Sequence, residues 1–226
     1  MALNAGHDDD PDRYDQLRGG WLNKRRTQHF HDVVATHRPD VVVEVGCGTG
    51  RMLTELAMRA PRTQFIGVEP LGDYVRYARE LVRSAGVSNV ELHEGTGEAL
   101  DQVVRAGVAD LVISSDVLHH VVSLPDVVRA VRATARPGST WSIVEPSAAN
   151  PYVAAFQAFT TGERNFGARA FLRAAGAQGW RLQKRGRMFL IPAAIVEPPR
   201  WLVGLEHRLE RVPVLSGAVT MELVAV

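Results

Sequence analysis

Residues 41–50, VVVEVGCGTG, restrict what this chain can fold into more than any other stretch. Val41, Val42 and Val43, with Val45 after one acid, read as a strand buried on both faces, the pattern found at the centre of a parallel sheet. A glycine turn follows at once. Gly46, Gly48 and Gly50 carry no β-carbon, so the loop can turn tightly and leave main chain open to a ligand. Residues 51–59 restart with helical spacing at Met52, Leu53 and Leu56. The stretch is a strand, a nucleotide-sized gap and the start of a helix.

Two cofactor classes use such a turn, and the spacing separates them. The dinucleotide fingerprint places a third glycine three residues after the second, where this chain has Arg51. The pattern here is GxGxG with Glu44 two residues ahead of it, and it resembles the first motif of class I S-adenosylmethionine-dependent methyltransferases. That resemblance implies S-adenosylmethionine as cofactor. It implies that Glu44 helps hold the amino-acid end, and that the main chain of Gly46, Cys47, Gly48 and Gly50 lies along the sulfonium arm.

Length and composition fit one large α/β domain: 226 residues, of which 46% are hydrophobic and 23% charged. A formal charge of +1 creates no global field that would recruit nucleic acid or an anionic membrane. Cys47 is the single cysteine, which excludes an intramolecular disulfide framework and any multi-cysteine metal site. A reducing, cytoplasmic setting is the natural expectation. The first twelve residues carry acids where a secretory signal carries basic groups, and they read as a short lead-in. The most apolar later stretch, 188–205, is interrupted by Pro192, Glu197, Pro198 and Pro199, so no membrane span is expected.

Residues 12–37 mix Tyr14, Leu17, Trp21, Leu22, Phe30, Val33 and Val34 with basic groups, which predicts one or two helices laid over the domain. The expected organisation is an N-terminal helical cap, 1–38, ahead of a methyltransferase domain, 39–226. The resemblance implies that the cap covers the cofactor, with Tyr14 as a cofactor contact and Trp21, His29 and His31 as further candidate lining groups. His29 and His31 are two apart and point to different sides of a helix, so no paired metal site is expected there.

A second strand, 64–68, ends in Glu69 and Pro70. An acid at that strand edge can accept hydrogen bonds from both ribose hydroxyls of an adenosine, whichever cofactor carries it. The third strand, 90–93, leads into Thr96, Gly97 and Glu98. Family members carry an acid near the adenine where this chain has Thr96, so adenine contact falls to Thr96 and Gly97. Glu98 is expected at the start of the next helix, where a carboxylate favours the dipole.

The fourth strand, 109–114, runs into Ser115, Asp116, Val117, Leu118, His119 and His120, which resembles the family's fourth motif. Ligands of open α/β sheets gather outside the carboxyl ends of strands, so this loop is the expected place of chemistry. Ser115 is a cofactor-side candidate. Asp116, His119 and His120 are candidate bases for removing an acceptor proton. A helix at 125–136, closed by Pro137 and Gly138, and a fifth strand, 139–145, complete five alternations of strand and helix.

Asn150-Pro151-Tyr152 resembles part of the Asn-Pro-Pro-Tyr sequence of amide and adenine methyltransferases, yet it follows the wrong strand and reads as a turn. An aromatic helix with Tyr152, Val153, Phe156 and Phe159 comes next, then a polar turn at 160–164 and another helix at 168–175. The sixth strand is expected at 180–184 and the last at 220–226, inserted antiparallel. Between them 200–212 is amphipathic, with Trp201, Leu202, Leu205, Leu209 and Val212 on the apolar side. Segments 151–165 and 186–212 are the expected acceptor-pocket cover; 200–212 is expected chiefly to cover the sheet, and together with 189–196 it could form a greasy mouth suited to a hydrophobic acceptor. The fold class is α/β, doubly wound, with a mostly parallel seven-stranded sheet, helices on both faces and an antiparallel last strand.

The expected activity is in-line transfer of the sulfonium methyl to a small acceptor molecule, with no nucleic-acid partner. Three alternatives stay open: a methyltransferase for RNA or protein, a nicotinamide-dependent dehydrogenase, and a fold relative that binds the cofactor without transferring methyl. No visible motif requires a metal, since a catechol-type magnesium site needs several convergent oxygen ligands and only Asp116 is suitably placed. The methylated atom and the oligomeric state are open.

Overall fold

In the computed structural model, residues 10–17, 20–160, 163–192 and 195–226 are described. Along the chain, α1 (Pro11–Leu17) and α2 (Trp21–His37) precede β1 (Val41–Val45), α3 (Arg51–Arg59), β2 (Gln64–Glu69), α4 (Gly72–Ser84) and β3 (Val90–Glu94). A short 3-10 turn (Gly97–Ala99) leads to α5 (Leu100–Val103), β4 (Ala109–Ser115), α6 (Leu124–Thr134) and β5 (Ala135–Pro146). Then come α7 (Pro151–Phe159), α8 (Ala168–Ala177), β6 (Trp180–Met188), α9 (Arg200–Leu209) and β7 (Ala218–Ala225).

The strands form one seven-stranded sheet in the order β3-β2-β1-β4-β5-β7-β6. The apolar run of β1 is held between parallel β2 and β4, as its lack of a polar face requires. β7 pairs antiparallel with both β5 and β6. The mostly parallel seven-stranded sheet with an antiparallel last strand is the architecture read from the sequence, and the strand order is added by the structure. Successive residues of β1 serve opposite faces: Val43 belongs to the apolar cluster that holds Val112, Ile143, Val127 and Phe171, and Val42 to the one that holds Phe65, Leu53, Val75 and Phe30. Phe30 of α2 is 0% exposed, so α2 closes one face of the sheet as an integral layer.

Several boundaries and faces differ from expectation. Arg136, Pro137 and Gly138 do not simply close α6. They lie within β5, whose register against β4 slips between Ala109 and Leu111, and Gly138 takes φ 79 to absorb the slip. β6 runs on to Met188 rather than stopping at residue 184. On α9, Trp201 is 71% exposed while Glu206 is the buried residue. Its oxygens accept from Trp21 Nε1 (2.8 Å), Arg25 Nη1 (2.7 Å), Leu190 N (2.9 Å) and Ile191 N (3.1 Å), and these bonds outweigh the apolar periodicity. Asn150 is the N-cap of α7, its Oδ1 accepting from Tyr152 N and Val153 N with Pro151 next in line. Residues 1–9 of the twelve-residue lead-in and parts of the turn at 160–164 and of the stretch 189–196 lie outside the described residues, while Pro11 and Asp12 already open α1. Among the described residues, no helix is long and apolar enough to cross a membrane.

Candidate active site

The glycine loop is held from the neighbouring strand. Gly46 N and Cys47 N both donate to Val68 O, at 2.8 and 3.1 Å. Glu69, at the end of β2, accepts from Gly48 N at Oε2 (2.9 Å) and from Leu71 N at Oε1 (3.2 Å). Gly46 has φ 71, and a β-carbon there would lie 2.5 Å from Val117 Cγ2, so the loop after β1 and the loop after β4 touch at a point where no side chain fits. Gly50 serves packing instead: its β-carbon would lie 2.8 Å from that of Ala78 on α4.

A cavity of about 240 Å³ opens above the carboxyl ends of β1, β2 and β4. Of the residues singled out from the sequence, Tyr14, Glu44, Gly46, Cys47, Gly48, Glu69, Pro70, Thr96, Gly97, Ser115, Asp116 and His120 line it. Gly50, His119, Trp21, His29 and His31 are not among its lining residues. The roof is α1 and α2, through Tyr14, Asn23, Lys24, Arg26 and Thr27, whereas no described residue of 151–165 or 186–212 lines the cavity. The aromatic face of α7 turns outward, with Tyr152 72% and Phe159 90% exposed.

Glu44 and Glu69 are each 2% exposed. Burial raises the Glu69 carboxyl above its ordinary value, and the N–H groups of Gly48 and Leu71 only partly offset this. Burial, and then the charges of Glu44 and Glu69, push the Cys47 thiol well above 9.0, so it stays protonated and is no nucleophile. Ser115 Oγ is buried and has no hydrogen-bond partner, although its residue lines the cavity. The chamber therefore combines two acids, bare main chain and an unsatisfied hydroxyl.

The loop after β4 is strapped down from two sides. Glu145, 0% exposed on β5, accepts from Val117 N (2.9 Å) and Leu118 N (2.8 Å) at one oxygen, and its other oxygen lies 2.7 Å from His119 Nδ1. Glu163 Oε2 lies 3.1 Å from His119 Nε2. Arg164 donates to the carbonyls of His119 and Val121. Burial opposes a proton on His119, but the bonds to Glu145 and Glu163 outweigh it and lift this imidazole to about 10. His119 thus has a carboxylate at each ring nitrogen and sits behind the cavity wall, while His120 lines the wall itself. Asp116, at φ 51, pairs with the buried Arg26, whose guanidinium also lies 5.5 Å from the Phe189 ring centre.

A second tether holds α1. Asp15, 2% exposed, pairs with Arg51 at the start of α3, accepts from Thr49 Oγ1 (3.0 Å) and lies 3.2 Å from Tyr77 Oη. Burial alone would raise Asp15, but the bonds from Arg51, Thr49 and Tyr77 prevail and lower it. Burial and the same carboxylate push the Tyr77 phenol up to about 12. The residue that replaces the dinucleotide glycine therefore ties the roof to the loop.

Sequence reasoning missed Asp15, Arg26, Glu145 and Glu163. Glu145 had a legible signal, an acid ending the apolar strand STWSIVE as Glu69 ends β2. Glu98 accepts from Val122 N (2.8 Å) and Ser123 N (3.2 Å), so the helix whose start it serves is α6. His29 lies instead against the Phe30 ring, where burial lowers it.

A family model described as a methyltransferase domain matches residues 37–178, more than half of the chain. The tRNA (guanine-N(7)-)-methyltransferase of Streptococcus pyogenes serotype M6 is 33% identical over 82 residues, covering 36% of this chain and 38% of that protein. The chain thus spans little more than a third of the length of that curated relative. A geranyl diphosphate methyltransferase solved in complex with S-adenosylmethionine matches with a TM-score of 0.70 at 18% identity, covering 100% of this chain and 94% of that one. The [4+2]-cyclase SpnF matches with a TM-score of 0.64 at 18% identity, covering 87% and 80%. At such identities the two structures speak for the fold, and the family match over 37–178 carries the assignment: the chain belongs to the methyltransferase domain family, among the class I S-adenosylmethionine-dependent methyltransferases.

Proposed function

We propose that this chain transfers the methyl group of S-adenosylmethionine to a small acceptor held against residues 115–121. The observation that carries the reading is a single cavity lined both by Glu44, the glycine loop and Glu69 and by Asp116 and His120. Its donor set fits the cofactor. Glu44 offers a buried anion to the cationic amino-acid end. Each Glu69 oxygen accepts one main-chain N–H and keeps a lone pair for a ribose hydroxyl, while Thr96 and Gly97 flank the adenine. Ser115 Oγ gains the partner it lacks. When bound, S-adenosylmethionine supplies a methyl group already activated by the sulfonium charge.

The protein's part is alignment and handling of one proton. Asn23, Lys24, Arg26 and Thr27 form the roof against which an acceptor is oriented, and a cavity of about 240 Å³ beneath it favours a small molecule over a polymer. His120, on the wall, takes the acceptor's proton as the nucleophile engages. His119, clamped between Glu145 and Glu163, positions the loop and takes no proton itself. Asp116 anchors α2 through Arg26.

A methyl-transfer screen over chemically diverse small molecules tests this, read as release of S-adenosylhomocysteine. Turnover should fall at least tenfold in His120→Ala with cofactor affinity unchanged. Methylation of bulk tRNA with salt-sensitive retention, and none of small molecules, would replace the small acceptor with RNA. Tight cofactor binding with no product from any acceptor would point to a protein that uses the cofactor without methyl transfer.

A further inference from the structure

Three ligand-bearing side chains converge behind the cavity wall. His119, His120 and Glu163 each present a nitrogen or oxygen within 4.8 Å of the others. His119 Nε2 lies 3.1 Å and His120 Nε2 3.8 Å from the two oxygens of one carboxylate, and the two imidazole centres are 4.0 Å apart. Donors that share one ion at about 2.0–2.2 Å stand roughly 3–3.5 Å from each other. The spacing observed needs only small side-chain adjustments to reach that value.

We propose that His119, His120 and Glu163 bind a divalent first-row transition-metal ion. Two histidines and a carboxylate are a donor set suited to zinc(II) or iron(II), and three protein ligands leave coordination positions open. The surroundings are those of a ligand site. His119 Nδ1 faces Glu145 at 2.7 Å, the carboxylate-to-histidine contact that fixes a metal-bound ring with its other nitrogen outward. The main chain beneath is pinned by Glu145 at Val117 and Leu118 and by Arg164 at His119 O, so the ligands are held before an ion arrives. Coordination at His119 Nε2 releases to solvent any proton that nitrogen carries. Since His120 also lines the cavity, the ion would stand beside the acceptor; with His120 Nε2 then committed to the ion, the ion would replace His120 as base by polarising the acceptor's oxygen so that its proton leaves to solvent. That role rests on the reading above, whereas uptake of the ion does not.

Equilibrium dialysis of the whole chain against micromolar zinc(II), with metal content measured afterwards, should give about one ion per chain. Cobalt(II) should give visible absorption bands of nitrogen and oxygen ligation. His120→Ala and Glu163→Gln should each weaken zinc binding at least tenfold, and zinc should raise the melting temperature of the unaltered chain but of neither variant. His31→Ala, at the surface, should bind zinc as before. Uptake well below one ion per chain, or uptake indifferent to both His120 and Glu163, overturns the proposal. Measuring S-adenosylmethionine affinity on the same samples separates the two failures: zinc lost with cofactor binding retained removes the metal site alone, and the reverse removes the cofactor reading alone.

Discussion

Gly46 and Gly86 share a left-handed backbone, at φ 71 and 68, but only Gly46 is crowded, because nothing lies within 4 Å of a β-carbon at Gly86. Gly86→Ala should cost about 1 kcal/mol of stability from the backbone alone and leave cofactor binding intact. Gly46→Ala adds a collision with Val117 and should cost on the order of 3 kcal/mol. Urea unfolding measures both, and calorimetric titration should show cofactor affinity lost only at Gly46. Glu145 offers a second single-residue test, being fully buried with three partners. Glu145→Ala leaves the N–H groups of Val117 and Leu118 and a buried imidazole without their acceptor, and it should destabilise by about 3–5 kcal/mol. Glu145→Gln keeps one oxygen and should lose less. A smaller loss on truncation than on amide substitution would contradict this account of the strap.

At the scale of elements, the roof helix α1 depends on one carboxylate. Asp15 titrates below its ordinary 3.8 when folded, so between the two values the folded chain holds fewer protons than the unfolded one. Its contribution is therefore complete above pH 3.8 and is lost as pH falls through the lower folded value. Hydrogen exchange across Pro11–Leu17 should accelerate in that acid range before the sheet opens. Asp15→Asn should make α1 labile at neutral pH, with a stability loss of about 1 kcal/mol, kept small because the Arg51 side chain is 41% exposed. None of this was legible in sequence, because Asp15 and Arg51 lie 36 positions apart and only the folded loop brings them together. The strands were legible for the opposite reason: burial on both faces writes itself as uninterrupted apolar runs such as 41–43 and 65–68. The acids at Glu44 and Glu69 could be placed because strand ends have fixed positions in such a sheet. On α9, periodicity misled, since the apolar side chains Trp201 and Leu205 stay exposed and the helix is docked by Glu206. Periodicity reports which side chains avoid water and is blind to buried carboxylates with several donors.

Across the whole molecule, two apolar layers grip opposite faces of one sheet, and the cavity sits where its central strands end. A ligand seated there touches residues from α1 through the loop after β4, so its binding should stabilise the chain as a unit. S-adenosylmethionine at a hundred times its dissociation constant should add about 2.7 kcal/mol to the unfolding free energy, visible as a raised melting temperature. Equal concentrations of a nicotinamide dinucleotide should add nothing, and an equal shift would return the glycine loop to the dehydrogenases. The sheet order carries a consequence for biosynthesis. β7 is made after β6 yet lies between β6 and β5, so on the ribosome the open edge of β5 must wait, unzipped, while some seventy residues emerge. A nascent chain stalled in that interval presents a long bare edge to its neighbours, and translation pauses or chaperone capture after β5 should govern the yield of active protein more than any change in the finished core.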